Sequence, residues 1–282
     1  MSQLDFILWL QSFRSPLLDA FFTAVNFTAE DNFITGLAVI LFWCVDPLVG
    51  LRFLLTLLFS GYLNSVLKDF FHTVRPTAEQ VRSVVVPSDG SYAFPSGHTQ
   101  NAATLWSYLA GHYRKRALVV AAALIIPLVG LARIYRGAHW PVDVLGGMAV
   151  GVALVWLALT LYRFWDRRSL SLPLWSQLLL GVVVPAGLFA LYPKTSMQMG
   201  AALGMATGYA LERRYVGFPV RMSLCKQVVK VIIGLAVLFA LQVGLSKLFP
   251  SGHLFRFARY ALIGLWGTLG APWVFKMCFP QR

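Results

Sequence analysis

The sequence predicts an all-α, polytopic membrane helix bundle with about nine transmembrane helices and an N-terminal amphipathic interfacial helix. Three observations lead to this prediction. The chain of 282 residues is 58% hydrophobic, and only 12% of its residues are charged. Its mean hydropathy is +0.68, and a soluble chain of this length has too little interior to bury so much apolar surface. The apolar residues also fall into runs of about 20, the length that crosses a bilayer.

Nine of these apolar runs are interpreted as membrane spans. The run over residues 3–28 differs, because Gln11, Arg14 and Asp19 interrupt it and Pro16 breaks it. We therefore expect residues 1–30 to form an interfacial amphipathic segment that does not span, with a tenth span as the alternative. The nine predicted spans lie near residues 31–47, 50–71, 97–113, 116–135, 141–163, 174–192, 196–212, 225–248 and 256–279.

The basic residues predict the orientation of these spans. The net charge is +13, but the cations cluster in short loops between apolar runs, so the pattern indicates membrane topology and no nucleic-acid partner. Of the 24 basic residues, 14 fall on one side and 10 on the other. Three of the 10, Lys68, Arg75 and Arg133, belong to polar motifs described next and are attributed to chemistry, which leaves 7. We therefore expect the side with 14 to be cytoplasmic, with the amino terminus outside and the carboxyl terminus inside.

Three polar stretches stand at the ends of predicted spans. The first runs from Lys68 to Arg75 and Pro76. Its two cations are able to bind one phosphate, Arg75 in a bidentate manner, although cations at a membrane boundary also commonly extend only to lipid headgroups. The other two stretches are Phe94-Pro95-Ser96-Gly97-His98 and Arg133-Ile-Tyr-Arg136-Gly-Ala-His139-Trp140-Pro141-Val-Asp143.

The second stretch opens a predicted helix. Its first backbone N–H groups have no partner within the helix, so they form an anion site beside the Ser96 hydroxyl, and Gly97 lets an anion approach the main chain. His98 then lies on the first helical turn. The alternative is a Ser/Gly helix cap beside an interfacial histidine.

The third stretch pairs a histidine with a carboxylate. Trp140-Pro141 marks a helix start, and the spacing of four places His139 and Asp143 on one face. An imidazole oriented by a carboxylate is typical of an activated nucleophile, and a capping pair without catalytic function is the alternative.

In order and internal spacing, the three stretches resemble the signature of the type 2 phosphatidic acid phosphatase superfamily over roughly residues 50–163. The nine-span layout is similar to the glucose-6-phosphatase and sphingosine-phosphate phosphatase branches. The resemblance implies that His139 attacks phosphorus and forms a phosphohistidine, that Asp143 orients it, and that His98 protonates the leaving group. It also implies a set of phosphate-binding residues, and it implies a reaction that needs no metal or other cofactor. That set is Lys68, Arg75, Ser96, Gly97 and Arg133.

The chain departs from the family pattern at two positions and repeats one motif. Ala132 stands where the family usually has Ser, which removes one hydrogen bond to phosphate, and Arg136 is an additional cation that can compensate or bind a second phosphate. Phe249-Pro-Ser-Gly-His253 repeats the second stretch without the other two. We interpret it as a turn, with a lid or headgroup contact beside Arg256 and Arg259 as the alternative.

The expected function is a metal-independent integral membrane phosphatase that hydrolyses a lipid phosphate or diphosphate at the extracytoplasmic face. The expected location is the bacterial plasma membrane, with the bilayer and its lipid substrate as partners. The expected division is an interfacial segment (1–30), a catalytic core (31–163) and accessory transmembrane helices (164–282). The alternatives are a lipid phosphotransferase that uses the same phosphohistidine, and a non-catalytic phospholipid transporter or scramblase.

Overall fold

A computed structural model describes residues 1–82, 91–169 and 171–279. Within these ranges the regular structure is helical and contains no strands. Short π-helical turns continue three of the helices, at Leu41–Val45, Glu212–Val216 and Trp266–Gly270. In chain order the α-helices are α1 (Gln3–Ser12), α2 (Pro16–Phe27), α3 (Asp31–Ile40), α4 (Pro47–Phe71), α5 (Gly97–Tyr113), α6 (Arg116–Tyr135), α7 (Pro141–Arg167), α8 (Leu174–Leu191), α9 (Ser196–Leu211), α10 (Leu224–Leu248), α11 (His253–Leu265) and α12 (Ala271–Cys278).

The count of nine spans is not confirmed, although each predicted run is helical. Within the described ranges, six helical segments are long and apolar enough to cross a membrane: α4, α6, α7, α8, α10 and the continuous segment from α11 to α12. Helices α5 and α9 have 17 and 16 residues, which is short for a span. The predicted span at 31–47 is not confirmed by itself, because α3 with its π-helical turn qualifies only together with α2, across a bend of 45°, which gives up to seven spans within the described ranges.

The starts of the helices follow from local sequence. Ser15 caps α2 by accepting a hydrogen bond from the backbone of Leu18, and Pro16 occupies the first helical position, so the predicted break at Pro16 is present. Helix α7 begins in the same way with Pro141. There the Asp143 carboxylate accepts a hydrogen bond from the Trp140 backbone N–H at 2.8 Å. This bond places Asp143 in the first turn of α7, four residues after His139.

The chain forms two compact units. Unit 1 contains residues Met1–Thr35 and Leu63–Arg168, and unit 2 contains Gly36–Tyr62 and Ser169–Arg282, so α4 contributes to both. All three polar stretches lie in unit 1. Because these units are defined by packing, the division at residues 30 and 163 into interfacial, catalytic and accessory parts stays a prediction.

In unit 1, α7 lies very close to α5. A Cβ atom added at Gly147 would stand 2.6 Å from the Ser96 carbonyl oxygen, and one at Gly151 would stand 2.8 Å from that of Gln100. Only glycine permits this approach, because a methyl group needs more than 3 Å from an oxygen. The start of α5, with the second polar stretch, is therefore held against the first turns of α7.

The N-terminal helices pack onto the end of α6 in unit 1. Ile7 of α1 is fully buried and belongs to an apolar cluster with Ile134. Phe22 of α2 packs in another cluster with Ala132 and Tyr135, and its ring centroid lies 4.4 Å from that of Tyr135. The segment predicted to be interfacial is thus joined to the part of α6 that carries Arg133.

In unit 2, α9 packs against α11 through glycine. Cβ atoms added at Gly200 and Gly204 would stand 2.2 and 1.9 Å from the carbonyl oxygens of Phe257 and Ala261. Such close contact is typical of helix pairs in membranes. Lys230, one of the 14 basic residues counted above as loop cations of the predicted cytoplasmic side, is instead fully buried in α10. This correction has a physical basis, because the ammonium group donates to three carbonyl oxygens, those of Trp43, Pro219 and Val220.

Candidate active site

Two hydrogen bonds to backbone carbonyl oxygens bring the three polar stretches together around the start of α7. The Ser96 N–H donates to the Asp143 carbonyl oxygen at 2.9 Å, which joins the second stretch to the third. The Trp140 indole N–H donates to the Val74 carbonyl oxygen at 2.8 Å, which joins the third stretch to the first. Residues separated by up to 66 positions in sequence therefore meet in one place.

His139 and Asp143 face each other inside the protein. His139 is 2% exposed and Asp143 is fully buried. The Nδ1 atom of His139 lies 3.5 Å from Oδ2 of Asp143, which is an ion-pair contact slightly longer than a hydrogen bond. Within the described residues, Nδ1 has no other hydrogen-bond partner. The carboxylate thus caps α7 and at the same time faces one nitrogen of the imidazole.

Arg75 faces the other nitrogen of the same imidazole. Its Nη1 atom lies 3.0 Å from Nε2 of His139 and also donates to the Ala138 carbonyl oxygen at 3.0 Å. Its Nε and Nη2 atoms donate to the backbone oxygen and the hydroxyl of Ser91 at 2.8 and 2.9 Å. Because a guanidinium only donates hydrogen bonds, Nε2 must accept, and we infer that the imidazole proton is on Nδ1, towards Asp143.

The surroundings of His139 favour its neutral form. Burial and then the nearby cations Arg75, Arg133 and Lys68 lower the pKa of His139 well below the ordinary imidazole value. The imidazole therefore keeps an unshared electron pair on Nε2 at neutral pH. This is the form that a nucleophile requires.

Arg133 extends from the last turn of α6 and is 5% exposed. Its Nη1 atom donates to Oδ1 of Asn26 at 2.9 Å. Its Nε atom is buried and has no hydrogen-bond partner among the described residues. The guanidinium is therefore held along one edge only, by a residue of the N-terminal segment.

The remaining predicted cations lie near His98. His98 is half-buried on the first turn of α5, and the charges that act on it most strongly are those of Arg133, Arg136, Arg75 and Lys68, in that order. The Lys68 ammonium also donates to the Tyr92 carbonyl oxygen. The structure thus brings both histidines and all four cations into one electrostatic environment.

Ser96 and Gly97 lie at the closely packed start of α5. Ser96 is fully buried, and its hydroxyl lies 3.0 Å from that of Thr99. A Cβ atom at Gly97 would stand 3.4 Å from Oδ1 of Asn64. The Asn64 amide in turn donates to the Gln100 side chain at 2.8 Å and to the Pro95 carbonyl oxygen at 3.3 Å.

Sequence reasoning missed Asn26 and Asn64. For Asn64 a signal exists, because it stands four residues before Lys68 and so shares its helical face. No local signal indicates Asn26, whose contact with Arg133 joins residues 107 positions apart. The structure also places the two residues that depart from the family pattern. Ala132 lies in the apolar cluster with Phe22, and Arg136 is half-buried near Arg133.

The repeated stretch in unit 2 is arranged differently. Pro250, Ser251, Gly252 and His253 are all exposed, whereas Ser96 is fully buried. In the described parts of the chain, no group of three His, Cys, Asp or Glu residues is arranged to hold a metal ion. Independence from a metal stays a prediction.

Two family profiles match the chain. One, described as the PAP2 superfamily, matches residues 49–167, and the other, described as PAP2 superfamily phosphatase, transmembrane extension, matches residues 196–281. The first covers all three polar stretches, and the second covers the segment from α9 to α12.

Individual proteins are similar over about half of the chain. The chain is 31% identical over 170 residues to lipid phosphate phosphatase delta of Arabidopsis thaliana, which is 55% of this chain but only 41% of that protein. It is 32% identical over 157 residues to phosphatidylglycerophosphatase B of Bacillus subtilis, covering 51% of this chain and 75% of that protein.

A solved structure supports the same assignment. The crystal structure of a transmembrane PAP2 type phosphatidylglycerolphosphate phosphatase from Bacillus subtilis matches with a TM-score of 0.50 and 30% identity, over 57% of this chain and 84% of that one. The PAP2 superfamily profile contains the three stretches whose geometry is described above. The chain therefore belongs to the PAP2 superfamily.

Proposed function

We propose that this protein is an integral membrane phosphatase that removes phosphate from a lipid through a covalent phosphohistidine at His139. The observation that carries the proposal is the placement of the His139 imidazole between Asp143 and Arg75, with its proton facing the carboxylate and its electron pair on Nε2. A site that only binds phosphate requires cations but no oriented imidazole. The names of the similar proteins, all lipid phosphatases, agree with this chemistry.

In the first step, Nε2 of His139 forms a bond to phosphorus while the bond from phosphorus to the lipid oxygen breaks. The leaving oxygen takes a proton from His98. The negative charge of the bound phosphate offsets the four cations that act on His98 and so supports a protonated imidazole. In the second step, His98 takes a proton from water, which attacks the phosphohistidine and releases inorganic phosphate.

The cations stabilise the charge that moves onto the phosphate oxygens during transfer. Lys68, Arg75 and Arg133 surround the imidazole, and Ser96 with the Gly97 N–H completes the proposed phosphate-binding set. Because Arg75 Nη1 is 3.0 Å from Nε2, it is within reach of any oxygen on a phosphorus atom that this nitrogen attacks. Arg136 supplements the set.

A lipid substrate is supported by the surface of α7. A shallow apolar surface extends along this helix from Leu145, two residues after Asp143, to Trp156, and a groove such as an acyl chain needs would be completed by the surrounding lipid. An acyl chain in this groove would lie in the hydrocarbon layer while its headgroup meets the site at the end of the helix. The candidate substrates are polyprenyl diphosphate, phosphatidic acid, phosphatidylglycerol phosphate and a sphingoid phosphate.

The purified protein is tested with a short-chain phosphatidic acid in the presence of chelator. We expect release of inorganic phosphate, trapping of a phosphoprotein that is labile to acid and stable to base, and loss of both in His139→Ala. Activity retained by His139→Ala would contradict the assignment. A phosphorylated acceptor without free phosphate would indicate a phosphotransferase.

We further propose nine spans, with α5, α9 and the π-extended α3 completing the count and the site on the extracytoplasmic side. The excess of basic residues on the opposite side supports this orientation. Cys225 and Cys278 are exposed free thiols at the predicted cytoplasmic ends of α10 and α12. A membrane-impermeant maleimide should label them in inside-out but not in right-side-out vesicles, and the reverse result would invert the topology.

A further inference from the structure

We infer that Asn26, in the N-terminal segment, is a positioning residue that holds the Arg133 guanidinium for phosphate without neutralising its charge. The inference rests on the proposed function, in which Arg133 binds phosphate. It makes α2 a part of the active site, whereas the sequence assigns this region to a separate interfacial segment.

The contact between the two residues is inside the protein. Asn26 is 3% exposed and Arg133 is 5% exposed. The distance from Arg133 Nη1 to Asn26 Oδ1 is 2.9 Å, a good hydrogen-bond length. A guanidinium taken out of water needs such acceptors, and here a neutral amide supplies one.

The orientation of the Asn26 amide is determined by a second contact. Its Nδ2 atom lies 3.3 Å from Oε1 of Glu30, one helical turn further along the chain. A carboxylate only accepts hydrogen bonds, so the amide nitrogen must face Glu30 and the amide oxygen must face Arg133. Glu30 thus places the acceptor, and its charge attracts Arg133 from a greater distance.

The arrangement leaves part of the guanidinium available. The buried Nε atom of Arg133 has no hydrogen-bond partner among the described residues, and the Arg133 charge acts on both His98 and His139. Asn26 therefore restrains one edge while another remains for a phosphate oxygen. An aspartate at this position would keep the acceptor but compensate the positive charge, and so would compete with phosphate.

Packing of α2 supports the same role. Phe22, four residues before Asn26, contacts the cluster of Ala132 and Tyr135 on both sides of Arg133 in sequence. The residue that replaces the usual serine of the family is thus in contact with the helix that carries Asn26. The polar and apolar contacts of α2 together restrain the last turn of α6.

The experiment compares Asn26→Leu, which has a similar volume and no acceptor, with Asn26→Asp and with the control Asn101→Ala. The control removes a hydrogen bond of 3.1 Å from Asn101 to Asp31, which ties the start of α3 to α5 and does not involve Arg133. The measurements are kcat and KM for a short-chain phosphatidic acid, the Kd of orthovanadate by calorimetry, and the unfolding temperature.

We expect both Asn26 variants to raise KM and the orthovanadate Kd by about 10-fold, the usual effect of misplacing one charged hydrogen-bond donor. Asn101→Ala should keep the wild-type Kd at a similar unfolding temperature. A wild-type Kd in Asn26→Leu, or full recovery in Asn26→Asp, would overturn the inference.

Arg133→Ala is measured beside these variants, to separate the Asn26 inference from the proposed function. If its Kd is also unchanged, the proposed role of Arg133 has failed, whereas a weakened Arg133→Ala with an unaffected Asn26→Leu refutes the Asn26 inference alone.

Discussion

Arg75 donates a hydrogen bond from Nη1 to Nε2 of His139 across 3.0 Å. This contact selects one of the two neutral forms of the imidazole, because the arginine has no acceptor to offer. The proton is then on Nδ1, which lies 3.5 Å from the Asp143 carboxylate. The first and third polar stretches thus act together on a single side chain, and neither of them alone determines its protonation.

The protonation state of His139 is directly measurable. Its pKa is lowered by burial and by Arg75, so we expect it to stay neutral, with Nδ1 protonated, well below pH 6.5. Nitrogen-15 NMR of histidine-labelled protein should show an imidazole of this kind whose signals are absent in His139→Asn. Arg75→Gln should move its titration to higher pH, since one cation is removed. Titration of the wild-type group near pH 6.5 would contradict the geometry.

The same shift predicts how stability depends on pH. Between the lowered pKa of His139 and about pH 6.5, the unfolded chain binds a proton that the folded protein does not bind. The contribution of His139 to the free energy of unfolding is therefore complete above pH 6.5 and falls as the pH decreases below it. We measure the unfolding temperatures of the wild type and of His139→Asn from pH 7.5 to 5. The difference between the two unfolding temperatures should become smaller as the pH decreases.

Asp143→Asn separates the two roles of the carboxylate. In the wild type both contacts are made by Oδ2, so an asparagine oxygen at that position can still accept the Trp140 N–H and face Nδ1 of His139, but the negative charge beside the imidazole is lost. We expect kcat to fall on the order of 10²–10⁴-fold, as in other enzymes where the orienting carboxylate is lost. The unfolding temperature should change little. A nearly unchanged kcat would show that Asp143 only caps the helix.

Gly147→Ala tests the contact between α7 and the second polar stretch. The added methyl would stand 2.6 Å from the Ser96 carbonyl oxygen, so α5 must shift, at a cost of about 1–3 kcal/mol in the free energy of unfolding. Activity should fall with it, because Ser96 and His98 move. Gly187→Ala in α8 is the matched control, since its methyl would meet nothing within 4 Å. Equal effects of the two changes would refute the packing argument.

The two copies of Phe-Pro-Ser-Gly-His should differ in importance. Ser251 and His253 are exposed in unit 2, so Ser251→Ala and His253→Ala should leave kcat/KM within about two-fold of wild type. Ser96→Ala and His98→Ala make the same chemical changes in the buried copy and should lower it by about 10²-fold or more. A large loss from His253→Ala would favour a lid or headgroup contact for this loop.

The positions of the helices and the three polar stretches were predictable because they depend on local pattern. Apolar runs, Pro16 and the spacing from His139 to Asp143 concern residues that are close in sequence, and each of these patterns corresponds to a helix, a break or a shared face in the structure. The number of spans was not predictable, because it depends on where helices end and bend. Helix α5 has only 17 residues, and α3 forms a bent pair with α2.

The composition of the site beyond these stretches depends on contacts between distant residues. Asn26 meets Arg133 across 107 positions, and Lys230 finds the Trp43 carbonyl oxygen across 187. Such contacts leave no periodic trace in the sequence, because each requires only one polar group in reach of another. The amino-acid sequence therefore specified the membrane class and the chemical groups. The folded chain decided which copy of the repeated stretch faces the histidine, which tautomer that histidine adopts, and which neighbours hold the arginines, since these depend on distances that folding alone creates.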